Sequence, residues 1–184
     1  MGRNPINLRP FYQIKMKKAL LLIVFATTFT AAAQDYKGHY GIGLLIGEPI
    51  GFSIKKFNNN NEAFQYTLGY SAVKGQEGIN IGADYLLHNY DIITAERGRV
   101  PFYYGGGIHF KSYNDEGNQL YARGTLGLAY EFIELPIDVF FEFSPGLSLL
   151  RTLGESDLVV PNYGIGARFY FDVRKAVEKI DDAI

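Results

Sequence analysis

The chain has 184 residues, 47% of them hydrophobic, 15% aromatic and 20% charged. That is the length of one domain, and the composition excludes a disordered or low-complexity chain. It contains no cysteine, which excludes a disulfide framework, a thiolate zinc centre and a cysteine-linked lipid anchor. The formal charge of −1 is unevenly placed. Residues 1–33 hold five basic side chains (Arg3, Arg9, Lys15, Lys17, Lys18) and no acid, leaving thirteen basic against nineteen acidic residues in the remainder. An acidic remainder argues against a nucleic acid partner.

The first element is an address. Lys17-Lys18 precedes the apolar run Ala19–Ala26, and Ala31-Ala32-Ala33 then offers small residues before Gln34. A charged start, a short apolar core and a small-residue cleavage site make a secretory signal peptide, with cleavage expected near Ala33-Gln34. The apolar run is shorter than the roughly 20 residues of a membrane-spanning helix. Residues 1–15 sit oddly ahead of such a signal, and Met16 reads as the true start. The chain is expected to be exported.

Eight segments with period-two alternation follow, at 40–46, 50–55, 64–71, 79–88, 102–111, 120–131, 138–149 and 163–171. Turn-rich stretches such as Asn58–Asn61 and Tyr113–Gln119 separate them. Eight alternating strands in an exported chain predict an all-β fold: a closed, antiparallel up-and-down barrel over 37–171. Beyond it, Val173, Ala176, Val177, Ile180 and Ile184 fall at helical spacing, so 172–184 reads as a short amphipathic tail.

The two faces of these strands differ. One is apolar; the other carries eleven glycines, against two (Gly106 and Gly124) within the strands of the apolar face. Glycine on a solvated strand surface weakens it and packs nothing, whereas a narrow barrel interior needs small residues beside large ones. The glycine face also holds Lys55, Lys111, Arg123 and Arg168 together with Asp84, Glu131, Asp138 and Glu142. The apolar face is therefore assigned to lipid and the charged face to the interior. Tyr40, Phe64, Tyr70, Phe102, Phe110, Tyr130 and Phe171, near strand ends on the apolar face, are the expected lipid-facing aromatic girdle.

Loop lengths suggest a register. A last connection centred near Glu155 sets Glu142 opposite Arg168, and the hairpin at Glu48 sets Lys55 opposite Gly41. Strands five and six set Gly107 opposite Arg123. The expectation is an interior charge network of Lys55, Asp84, Arg123, Glu142 and Arg168, built on a Glu142–Arg168 pair.

Several stretches carry a resemblance: Gly47–Lys55, Ala83–Asp91, Pro101–Gly107 and Pro136–Pro145. They resemble a family of small bacterial outer-membrane β-barrel proteins of unknown function, similar to the OmpA-like eight-stranded barrels, and the likeness spans about 38–171. What it implies is an eight-stranded barrel in the outer membrane of a Gram-negative-type cell; it brings no catalytic residues. Two departures stand out. Phe171 is followed by thirteen residues, and with both termini periplasmic the connection Asn89–Val100 is long for a periplasmic turn.

Catalytic chemistry finds little support. A Ser-His-acid arrangement needs a hydroxyl beside an oriented histidine, yet no serine stands two residues from His39, His88 or His109. Ser71 and Ser148 remain open through tertiary proximity alone. The carboxylates Glu131 and Asp138 flank a turn and read as solvated. No catalytic residue, metal site or cofactor is expected. An eight-stranded barrel is filled by side chains, so a wide pore is not expected either. The reading is a monomeric, non-enzymatic outer-membrane barrel of structural or surface-binding role. Its partners would be outer-membrane lipid, the barrel-insertion machinery, and an extracellular ligand held through loops 47–49, 72–78, 112–119 and 151–160. The alternatives are a soluble periplasmic, lipocalin-like barrel binding an apolar ligand, and an outer-membrane lipid-modifying enzyme.

Overall fold

A computed structural model describes residues 39–74, 77–114, 117–152 and 158–172. The expected signal segment, residues 173–184 of the expected tail, and the acidic residues Asp115, Glu116, Glu155 and Asp157 of the expected binding loops lie outside them. Every regular element among the described residues is a strand: β1 (Tyr40–Glu48), β2 (Ile50–Phe57), β3 (Glu62–Ser71), β4 (Gly78–Asn89), β5 (Phe102–Tyr113), β6 (Asn118–Glu131), β7 (Ile137–Phe143), β8 (Gly146–Arg151), β9 (Val159–Val160) and β10 (Tyr163–Phe171). Their order is β5-β4-β3-β2-β1-β10-β7-β6-β8-β9, and β5 pairs with β6, which closes the sheet.

The ten strands are eight staves. β7 and β8 both pair with β6 in one continuous register, through Leu126↔Phe143 and Arg123↔Gly146. β10 and β9 run along that stave in one register as well, through Tyr163↔Phe143 and Gly146↔Val160. The expected seventh strand is thus interrupted after Phe143, and the eighth is preceded by a short collinear piece. Part of the connection 151–160, expected as a loop, is strand.

Proline explains both interruptions. Gly124 N–H donates to the Pro145 carbonyl at 3.0 Å, but Pro145 has no N–H to return, so this rung of the β6 ladder is half made. On the last stave, Tyr170 N–H donates to the Pro136 carbonyl and Ser144 N–H to the Asn162 carbonyl. Even-numbered residues there face β7 and β8, and the nitrogen of Pro161 is aimed the other way, toward β1. β1 has already ended at Glu48, opposite Tyr163. Pro161 therefore sits on a free strand edge, where its missing donor costs nothing.

Register also sets the barrel's shape. From Gly41 the Cα partners run through Lys55, Gln65, Asp84, Gly107, Arg123 and Gly146 to Val160. Val160 stands three residues before Tyr163, the partner of Glu48, so the circuit returns to the β1 line ten residues beyond its start. With eight staves, that shear means a strand tilt of about 40° and a backbone cylinder roughly 16 Å across. Such a cylinder has room inside only for side chains.

The alternation read from the sequence maps onto the wall. Ile42, Leu44, Phe52, Leu68, Ile81, Ile108, Leu126, Phe141 and Ile165 are exposed on the outer face, while Lys55, Asp84, Arg123, Glu142 and Arg168 are buried within. The inward glycines are explained by their neighbours. A Cβ on Gly41, Gly82, Gly127 or Gly166 would overlap the ring of Tyr170, His109, Tyr103 or Phe140 respectively. Each of these rings belongs to the residue directly opposite on the next stave. Glycine makes the space into which each large ring is laid.

The charged barrel interior as candidate functional site

Two of the three register expectations hold: Lys55 faces Gly41 and Gly107 faces Arg123. The third is corrected. Arg168 stands opposite Asp138, and Glu142 stands opposite Gly164. The difference is four residues, an even slip, so every side chain keeps its face and only the partner changes.

Around Arg168 this produces a shared cage. Arg168 Nε donates to Asp138 Oδ1 and Oδ2 at 3.1 and 3.2 Å, and Nη2 lies 3.0 Å from Oδ2. Nη1 donates to Gln65 Oε1 at 2.5 Å and lies 3.9 Å from Glu142 Oε1. Gln65 turns its amide nitrogen to both oxygens of Glu142 at 3.0 and 2.9 Å. Tyr103 donates to the same carboxylate at 2.7 Å, and Tyr170 donates to Asp138 Oδ2 at 2.8 Å. The guanidinium lies over the Phe140 ring, 3.7 Å from its centroid. Glu142 thus reaches Arg168 mainly through Gln65, a bridging role that composition did not single out, although Gln65, Tyr103 and Tyr170 all fall on the inward parity of their strands.

A second centre is simpler. Arg123 Nε donates to Asp84 Oδ1 at 3.0 Å and Nη2 to Oδ2 at 2.5 Å, a two-point fork on one carboxylate. His109 Nε2 lies 3.1 Å from Asp84 Oδ2, and its Nδ1 lies 3.2 Å from Asn80 Oδ1. Asn80 in turn donates to the Tyr121 hydroxyl, which donates to Asn162 Oδ1.

Lys55 belongs to neither fork. Its Nζ lies 3.2 Å from His88 Nε2 and 4.0 Å from the centroid of the Tyr103 ring. At the rim that carries the chain's entry and exit, Glu131 pairs with Arg99 at 2.9 Å and accepts from the Tyr90 hydroxyl at 3.1 Å. At the opposite rim, Lys111 donates to Ser71 at 2.7 Å and lies 3.7 Å from Glu48. Glu131 and Asp138, expected to be solvated, are both buried. They face inward at the end of the ladder, directly opposite each other. Burial requires partners for them, which Arg99 and Arg168 provide.

His88 lies beside Lys55, His109 is held between Asp84 and Asn80, and Ser71 accepts from Lys111. Among the described residues no cluster of histidine and carboxylate side chains has metal-binding geometry. The expected girdle residues sit on the outer face. Tyr40 stacks with Phe171 at 6.4 Å, Phe64 meets Tyr85 at 5.3 Å, and Phe102 and Tyr130 pair with Tyr104 and Phe132 at 6.2 and 4.8 Å. Tyr70 and Phe110 are exposed near the other rim. The connection 90–101 lies on the side of the termini and is tied to the wall there. Arg99 and Glu131 exchange backbone hydrogen bonds at 3.0 and 2.8 Å, and the Tyr130 hydroxyl donates to the Arg97 carbonyl.

No family model matches this sequence, and no curated protein does. Among solved structures, the fold is similar to the N-terminal β-barrel domain of Pseudomonas aeruginosa OprF. The TM-score is 0.57 at 17% identity, over 75% of this chain and 100% of that domain. The likeness bears out, at the level of fold, the OmpA-type eight-stranded barrel read from the sequence.

Proposed function

We propose that the protein is an integral outer-membrane barrel with a non-enzymatic role, structural or surface-binding, that it acts as a monomer, and that its interior is filled and forms no wide pore. The observation that carries this is the inverted polarity of the wall. A closed sheet turns its apolar residues outward over the whole circumference and buries Arg168, Lys55, Lys111, Asp84 and Glu142 inside. Exposed apolar surface of that extent is unfavourable in water and favourable against hydrocarbon, where a closed barrel also leaves few backbone groups unpaired. A lipocalin-like carrier would need the reverse, an apolar interior to hold an apolar ligand. The signal segment and the barrel-insertion machinery would deliver the chain to outer-membrane lipid, and the loops at the rim away from the termini would present any ligand-binding surface.

The test is fractionation followed by a denaturing gel of unboiled and boiled samples. The expected result is sedimentation with outer membranes, extraction by detergent alone, and a mobility shift on boiling. Recovery as a soluble periplasmic protein would overturn the assignment.

A further inference from the structure

At the rim of the chain's entry and exit, apolar residues stand beyond the reach of the bilayer. The turn between β6 and β7 carries Phe132, Ile133 and Leu135, which are 37%, 44% and 50% exposed. Phe132 N–H donates to the Ile137 carbonyl at 3.1 Å, and Ile137 N–H donates to the Leu135 carbonyl at 2.7 Å, so the turn is a short continuation of its two strands. At a strand tilt of about 40°, Phe132 and Leu135 lie roughly 5–7 Å farther out than the girdle residues Tyr40 and Tyr130. Water and headgroups meet the protein at that level, and the β2–β3 turn on the same rim presents Asn58–Asn61 to them. Next to the apolar turn, the connection 90–101 adds Ile92 and Ile93, also exposed. It is held there by the Tyr130 hydroxyl, which donates to the Arg97 carbonyl. Apolar groups gathered outside the lipid mark a contact surface.

The chain's own exit lies beside that surface. Tyr170 N–H donates to the Pro136 carbonyl at 2.7 Å, which leaves Asp172 level with the turn and one stave away, about 5 Å. Residues 173–184 lie beyond the described part of the chain. In their sequence Val173, Ala176, Val177, Ile180 and Ile184 recur at helical spacing. A helix from Val173 to Ile180 would be about 10 Å long, the width of the roughly two stave spacings between β10 and β6. The charges fall in a matching order. Arg174 and Lys175 follow the exit beside exposed Glu134, and Asp181 and Asp182 follow Ile180 on the side of exposed Arg97.

We propose that residues 173–184 fold back as an amphipathic helix onto the β6–β7 turn, where Val173, Val177 and Ile180 cover Phe132, Ile133 and Leu135. The level of the turn is taken from the membrane reading above; the docking itself is a contact within one chain.

The chain contains no cysteine, so two introduced thiols report one distance. Ile133→Cys with Val177→Cys, and Leu135→Cys with Val177→Cys, would be made in the full chain, refolded in phosphatidylcholine vesicles and oxidised with copper phenanthroline. Asn60→Cys with Val177→Cys, at an exposed position of the same rim, is the reference. Boiling-dependent gel mobility identifies folded samples, and two turn positions guard against one failing to fold. The expected result is an intramolecular disulfide in both turn pairs, formed at least about fivefold faster than in the reference pair. Adding Val173→Asp and Ile180→Asp should slow both to the reference rate. Equal rates in all three pairs would overturn the docking. A fast rate that the two aspartates leave unchanged would reflect the tether alone and overturn it too. A disulfide between chains, formed on mixing Ile133→Cys chains with Val177→Cys chains, would assign the cover to a second copy. If the folded protein does not sediment with the vesicles, the membrane reading falls, while the disulfide rates still decide the docking.

Discussion

Two arginines hold the interior of this barrel in different ways. Arg123 places both arms of its fork on one carboxylate, Asp84, and its further hydrogen bond, to Thr67, is long at 3.4 Å. Arg168 divides its donors between Asp138 and Gln65, and Gln65 brings in Glu142, which Tyr103 also holds. The first is a pair and the second a network. In a pair, loss of the anion strands a buried cation; in a network, the remaining acceptors share it.

That contrast can be broken by substitution, read from urea unfolding of the detergent-folded protein. Asp84→Ala should have the largest effect, a loss of about 3–5 kcal/mol, because Arg123 is left buried with no carboxylate in contact. Asp84→Ala combined with Arg123→Met should recover most of that loss in a double-mutant cycle. If the double variant is as unstable as Asp84→Ala, the fork is not an isolated pair. Asp138→Asn should cost less, about 1–3 kcal/mol, since the amide oxygen still accepts and Gln65 and Glu142 remain beside Arg168. A loss equal to that of Asp84→Ala would erase the distinction between the centres. Gly82→Ala pushes a methyl group into the His109 ring of the Asp84 centre and should cost about 1–3 kcal/mol, a loss that His109→Ala in the same chain should relieve. Tyr103→Phe should have the smallest effect, about 1 kcal/mol, because Gln65 still donates twice to Glu142.

The strands β8 and β9 and the β1–β2 hairpin make a second contrast along the loop rim. One stave pair stops early, at Glu48 and Ile50; the neighbouring pair runs on through Arg151 and Val159. A tilted, closed sheet requires such a step somewhere, since neighbouring staves are staggered around the circuit. Pro161 occupies the edge that the step leaves open, where an unguarded strand would invite pairing with another chain.

Most of the architecture was legible in the amino-acid order. Strict alternation gave the strands, their number and, through the uneven distribution of glycine, which face is inside. Gly41, Gly82, Gly127 and Gly166 are inward because Tyr170, His109, Tyr103 and Phe140 need their space, and that pressure leaves a trace in sequence. The members of the charge network were likewise visible as ionisable residues on the inward parity.

Their pairing was not. An alternating pattern fixes a strand's register only to within even steps, because a slip of two or four residues returns every side chain to its own face. Arg168 is inward whether it meets Glu142 or Asp138, and only the closed ladder, with its Pro145 and Pro161 interruptions and ten-residue shear, selects Asp138. A bulge in the β6–β8 ladder has the same character: Tyr121 faces Ser148 but Leu120 faces Leu150, so one extra residue in β8 puts Leu149 and Leu150 on the same side of the wall, against the alternation. The sequence by itself determined what is inside and what is outside, because that is a property of each strand alone. Which charges meet, and how high each stave stands, depend on how eight strands close on one another, and the tertiary structure decided them.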